Sequence, residues 1–204
     1  MLFRSIRSGA GTSDEKLFGS RTGTTLLLWT SYFFTLLAVY LLLNWLPSLL
    51  VAKGYTRVQG ATCSIILNVG AVVGSIVLGA LSDRRKPKWI LICTYAGMMA
   101  SLLALTVAHG MSLYAAAFIA GYFVIGGQLA LYAIAPSLYP EAIRGTGVGA
   151  AVAVGRLGSI AGPLLAGALL VHGFGANAVP MAAMPGLLVA FCAVFTLAVA
   201  RAKY

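Results

Sequence analysis

The sequence predicts an all-α, polytopic membrane protein built on six transmembrane helices, and three observations predict it. Apolar residues fill 60% of the 204 positions and charged residues only 9%, with a mean hydropathy of +0.95, a balance that suits lipid rather than a water-facing surface. The uncharged stretches are at or near the roughly 20 residues a helix needs to cross a bilayer. The 14 Lys and Arg, against 4 Asp and Glu, collect between those stretches. The net charge of +10 therefore reads as membrane topology, and no nucleic-acid partner is expected.

Residues 1–23 carry Arg4, Arg7, Lys16 and Arg21 with Asp14 and Glu15. They hold no apolar run long enough for a signal peptide and read as a cytoplasmic tail. Residues 24–200 form the six-helix domain, and 201–204 a second cytoplasmic tail. The first span runs from Thr24 to about Leu50, with Pro47 near its outer end, where the missing N–H predicts a kink. Lys53 and Arg57 flank a short loop at Gly54, and Val58 to Ser82 is a second span rich in small residues. The basic cluster Arg84, Arg85, Lys86 and Lys88 follows.

Between Trp89 and Pro140 no Lys, Arg, Asp or Glu occurs, which is too long for one crossing and right for two. His109-Gly110 marks the turn between a third span, Lys88 to Ala108, and a fourth, Ser112 to Ser137. Arg144 to Val171 is the fifth, and after a turn at His172 the sixth runs from Val179 to Ala200. Eleven basic residues (Arg4, Arg7, Lys16, Arg21, Arg84, Arg85, Lys86, Lys88, Arg144, Arg201, Lys203) then share a side with both termini, against Lys53 and Arg57 on the other. Positive charge favours the cytoplasmic face, so both termini are expected there.

The fifth span is the most unusual. Gly147, Ala151 and Gly155 recur every four residues, as do Gly158, Gly162 and Ala166, so small residues make rows on which a neighbouring helix can approach backbone to backbone. The span reads as a central helix of the bundle. It also holds Arg156, whose insertion in hydrocarbon costs roughly 2.5 to 3.5 kcal/mol, so a cavity, a partner or a functional role should accompany it. Its plainer reading is a bond to a backbone carbonyl or snorkelling towards the cytoplasm. Cys63, Cys93 and Cys192 lie in apolar segments without metal-ligand spacing and read as small hydrophobic fillers. His109 and His172 fall in short external turns and read as solvated. No nucleophile–base pair, phosphate-binding loop or metal cluster appears, so an enzyme is not expected and no cofactor is implied.

Gly79-Ala-Leu-Ser-Asp-Arg-Arg-Lys-Pro-Lys88 resembles the loop signature of the major facilitator superfamily, G-x-L-[AS]-D-R-x-G-R-[RK], which joins the second and third helices of a six-helix half. Gly79, Leu81, Ser82, Asp83, Arg84 and Lys88 match; Lys86 and Pro87 replace the usual glycine and arginine. The runs Leu17-Phe18, Arg21-x-Gly23-Thr24, Leu28-Trp29 and Leu42-Leu-Asn-Trp-Leu-Pro47 are similar to the seventh helix of the aromatic acid:proton symporters. Gly126-Gly-Gln-x-x-Leu-Tyr-Ala133, Tyr139-Pro-x-x-x-Arg-Gly-Thr-Gly147, Gly155-Arg-x-Gly158 and Gly162-Pro163 resemble the tenth and eleventh helices of the same family.

The resemblance, from about residue 15 onwards, implies the C-terminal six-helix half of a twelve-helix carrier, with 1–23 left from the central loop. Such carriers bind substrate near the bilayer midplane between two halves and alternate access by rocking one against the other. An N-terminal six-helix half or a second copy of the chain is the expected partner, beside the lipid bilayer; a non-transporting fragment is the remaining possibility. The implied cargo is a small aromatic carboxylate with a proton. A sugar, a dicarboxylate or a drug is the alternative, because the Tyr139-Pro-Glu-Ala-x-Arg pattern is widespread among metabolite carriers.

Such a cargo needs a cation for the carboxylate, hydrogen-bonding groups for ring substituents, aromatic walls and a titratable group. Arg156 is the candidate cation. No Asp or Glu lies within the spans, so the counter-charge is expected from the substrate or from another half, together with the proton site. Gln128 and Tyr132, four apart on one face of the fourth span with Ile125 and Gly121 continuing it, Asn68 on the second, and Asn44 with Tyr40 on the first are the candidate lining groups. The bland reading of each is a structural interhelical hydrogen bond. Asp83, Arg84, Glu141 and Arg144 sit at cytoplasmic helix ends, where the resemblance implies a gate latch that forms in one conformer and breaks in the other. The same basic residues read alternatively as topology determinants touching lipid phosphate.

Overall fold

A computed structural model describes residues 22–84 and 87–200. Six helices are long and apolar enough to cross a membrane. The first span is α1 (Thr22–Ala52), the second α2 (Arg57–Arg84) and the third α3 (Pro87–Val107). The fourth combines α4 (Met111–Ala120), a π-helical turn (Gly121–Ile125), α5 (Gly126–Ile134) and a 3-10 turn (Ala135–Leu138). The fifth is α6 (Glu141–Val171) and the sixth α7 (Ala178–Ala200). The described residues contain no strand. Gly54, Gly110 and Gly173, all at positive φ, form the three turns on one side of the bundle, a conformation that side chains with a Cβ resist.

The fourth span departs from the single helix expected. Its π turn bonds i to i+5 and places Gly121 and Gly126, five apart, against the same neighbour. Gly121 lies on the backbone of Leu67 and Ala71 and Gly126 on that of Gly74, all in α2; Gly70 and Gly74 in turn meet the backbones of Phe118 and Tyr122. An uninterrupted α-helix would rotate one of the two glycines away from that seam. Pro47 sits inside α1, which continues as helix to Ala52, and its backbone takes the close approach of Gly60 at the start of α2.

The glycine rows of the fifth span behave as their spacing predicts. Ile143, Gly147, Ala151, Gly155, Gly158, Gly162 and Ala166 are its buried positions. Gly158 rests on the backbone of Phe33, Gly162 on that of Leu37 and Leu41, and Gly155 on the side chains of Tyr32 and Leu36. The span is not central within this chain, however. Only 22% of the apolar stretch of α6 is buried, against 56% of α1 and 56% of the fourth span. One stripe of α6 is packed and the rest of its surface is uncovered, because a row of small residues suits one close neighbour rather than several.

Tyr139 ties the fourth and fifth spans to the start of the first. It is buried, its ring lies on Gly147, and its hydroxyl donates to Thr25 Oγ1 at 3.2 Å. At the other end, Lys53 Nζ donates to the carbonyl oxygens of Leu105 at 3.0 Å and Thr106 at 3.4 Å. These are carbonyls of the last turn of α3, which have no partner further along the helix.

Candidate functional site

The close α1–α6 seam sets the geometry. Because Gly155 and Gly158 let α6 lie directly on α1, the intervening Arg156 reaches across the crossing, and its Nη1 donates to Tyr40 Oη at 3.2 Å. Trp45 fixes the crossing from the same helix, its Nε1 donating to the carbonyl of Pro163 at 3.2 Å. One turn beyond Tyr40, Asn44 donates from Nδ2 to the Tyr40 carbonyl at 2.8 Å. Arg156 and Asn44 are exposed and Tyr40 is half-buried. Among the described residues Arg156 has no carboxylate partner. A guanidinium carries five N–H donors, so one phenol leaves most of its capacity turned outward.

The structure thus joins Arg156 to Tyr40, with Asn44 one turn along α1, and treats the other candidates differently. Gln128 is inside the chain, 4% exposed, and among the described residues neither its amide nitrogen nor its oxygen meets a hydrogen-bond partner. Tyr132, one turn on, is half-buried and sets its ring edge-on to Tyr32, centroids 5.1 Å apart at 81°. Asn68 is exposed on α2 and donates from Nδ2 to the carbonyl of Ser64 at 2.7 Å. Among the described residues neither asparagine makes an interhelical hydrogen bond; each is tied to the backbone of its own helix. Glu141 and Arg144 are exposed on the first turn of α6 and form no ion pair among the described residues. Asp83 and Arg84 end α2, but their side chains, and with them the expected latch, lie outside the described residues.

Several polar residues that matter to this geometry escaped the sequence reading. Tyr95 and Thr35 share a buried hydroxyl–hydroxyl bond of 2.8 Å between α3 and α1. Tyr32 is fully buried, and neither its hydroxyl nor that of Thr94 has a hydrogen-bond partner among the described residues; Thr94 lies with Met98 against Gly127, the neighbour of Gln128. The interior where α1, α3 and α5 meet is therefore polar in places, and costly to leave unsatisfied in a low-dielectric core. Thr35 and Tyr95 stand on different helices, 60 residues apart, so no local spacing announces their contact.

A polytopic α-helical membrane bundle, with a cation that meets no carboxylate among the described residues at the exposed edge of a helix seam, is the class that this fold and site define. The sequence profile of the Major Facilitator Superfamily matches residues 28–203, and the chain belongs to that family of transporters, not to an enzyme family. It is 52% identical over 189 residues to the 3-(3-hydroxy-phenyl)propionate transporter of Escherichia coli (strain K12), a match covering 92% of this chain and 47% of that protein. The gallate transporter of Pseudomonas putida is 40% identical over 154 residues, 74% of this chain and 34% of that protein. The benzoate transport protein of Acinetobacter baylyi is 37% identical over 152 residues, 74% and 32%. The chain thus spans less than half the length of these curated relatives. The likeness to the aromatic-acid branch of the superfamily, expected from Leu42–Pro47 and Gly155–Gly158, is borne out by them.

Proposed function

We propose that this chain forms the C-terminal six-helix half of a proton-coupled secondary carrier for aromatic acids, working with a second six-span unit by alternating access. The observation that carries the reading is Arg156, a guanidinium that meets no carboxylate among the described residues and is held by Tyr40 on an exposed face of the α1–α6 seam. A carboxylate there gains a charge-assisted hydrogen bond, the stronger class. The organic anions named for the relatives are of that kind. Tyr40, Asn44 and Asn68 are assigned to the lining. Gln128 and Tyr132 form its inner wall, where the unpartnered amide of Gln128 offers a further polar group.

The second unit docks on α2 and α6, of whose apolar stretches only 28% and 22% are buried within the chain. The titratable group that couples the proton is assigned to that unit, since the described spans hold acidic residues only at their ends, Asp83 and Glu141. Asp83, Arg84, Glu141 and Arg144 are assigned to the cytoplasmic latch. The excess of basic residues on the side of both termini supports an orientation with both in the cytoplasm, and the bacterial relatives favour an inner membrane as the site.

The test is uptake of labelled benzoate or 4-hydroxybenzoate by proteoliposomes. The chain alone gives no accumulation. A chimaera in which it replaces the matching region of the E. coli 3-(3-hydroxy-phenyl)propionate transporter accumulates aromatic acid, loses the gradient with a protonophore, and falls at least about tenfold with Arg156→Ala, the loss of one charged hydrogen bond. Undiminished uptake in Arg156→Ala removes the residue from the site; uptake insensitive to the protonophore removes the proton.

A further inference from the structure

We propose that Asn44 selects for a ring hydroxyl, making the site specific for hydroxylated aromatic acids over their unsubstituted analogues. This rests on the carrier reading above and concerns the far end of the same ligand. The starting point is the bond from Asn44 Nδ2 to the Tyr40 carbonyl, 2.8 Å. A carbonyl oxygen only accepts, so the amide must turn its nitrogen towards the helix. In a planar carboxamide the oxygen then points the other way, off α1, from a side chain that is exposed. Asn44 thus presents an acceptor to whatever occupies this face.

Tyr40 and Arg156 present the opposite polarity. Tyr40 Oη accepts from Arg156 Nη1, which turns the phenolic O–H away from the guanidinium. A carboxylate beside the pair is met by N–H donors from one residue and an O–H donor from the other. Donors therefore gather at the Arg156–Tyr40 end of the seam, and an acceptor stands one turn along α1, about 6 Å away by helical rise. An aromatic acid carries its groups in the same order, a carboxylate that accepts and, across the ring, a hydroxyl that donates. Leu43, exposed beside Asn44, gives the ring an apolar flank. A phenol donates to Asn44 Oδ1, a bare ring edge leaves that oxygen unmatched, and a second carboxylate is repelled by it. Sites built to bond a hydroxyl reject the analogue that lacks it more sharply than apolar pockets reject an added group.

The experiment uses the chimaera described above and two labelled substrates, 3-(3-hydroxyphenyl)propionate and 3-phenylpropionate. The unsubstituted chimaera shows a KM about tenfold lower for the hydroxylated acid. Asn44→Leu brings the two KM values to within about twofold by raising that of the hydroxylated acid and leaves its maximal rate unchanged. Asn44→Asp, which keeps an acceptor, retains the preference while weakening both acids through its charge. Asn44→Ala is read in the same way as Asn44→Leu if that protein is not recovered. A preference that survives Asn44→Leu or Asn44→Ala, or equal losses for both acids, overturns the selection by Asn44 and leaves the carrier reading standing. Absence of saturable uptake of either acid by the unsubstituted chimaera sinks the carrier reading and the selection with it.

Discussion

Arg156 is a charged residue on a helix whose buried face is almost entirely glycine and alanine, and the seam that those residues create delivers it to Tyr40. Its type and its lack of an acidic neighbour were legible in the sequence. Its partner was not, because Tyr40 lies 116 residues away and meets it only through a helix crossing. Lys53 shows the same limit on the opposite side of the charge ledger. The sequence counts it as a mark of membrane sidedness, whereas the structure has its ammonium capping the carbonyls of Leu105 and Thr106. Cations favour helix C-termini, so Lys53→Met is expected to cost about 1 kcal/mol. That would lower the midpoint of thermal unfolding in detergent by a few degrees, while Arg57→Met, outside this contact, leaves it unchanged.

Among the elements, the small-residue rows of α6 were the best read, though its central placement was not, and the fourth span was the worst. Every one of Gly147, Ala151, Gly155, Gly158, Gly162 and Ala166 is buried, since a period of four on a helix keeps one face in register with its neighbour. The π turn at Gly121–Ile125 has no such signature, because two glycines five apart belong to no helical repeat until α2 is seen against both. The distinction between buried and idle glycines is testable in α6 itself. A Cβ at Gly158 would collide with the backbone of Phe33, while at Gly145 or Gly149 it meets nothing within 4 Å. Gly158→Val should therefore cost about 1–3 kcal/mol or more through overpacking. Gly149→Ala should be neutral or stabilising by up to about 1 kcal/mol. Thermal unfolding of the two purified variants separates these outcomes, and equal midpoints would contradict the α1–α6 packing.

At the scale of the whole molecule, six spans and their turns were legible to within a few residues. Hydropathy and the positions of charge report the bilayer directly, and the bilayer fixes length. The interior polar contacts, Tyr95 with Thr35 and Tyr139 with Thr25, were not legible, since each is set by tertiary packing rather than by a local period. Within this chain the first and fourth spans are the most covered and the second and fifth the least, and the proposed second unit would cover the latter two. At the exposed edge of the close α1–α6 seam, Arg156 is proposed to receive an organic carboxylate. This is tested most directly by equilibrium binding of 4-hydroxybenzoate and of its uncharged amide, 4-hydroxybenzamide, to the chimaera, with and without Arg156→Ala. The unsubstituted protein is expected to bind the carboxylate about ten- to a hundredfold more tightly than the amide, the range of one charged hydrogen bond, and Arg156→Ala to abolish the difference. Equal binding of acid and amide by the unsubstituted protein, or a preference for the acid that persists in Arg156→Ala, would contradict it.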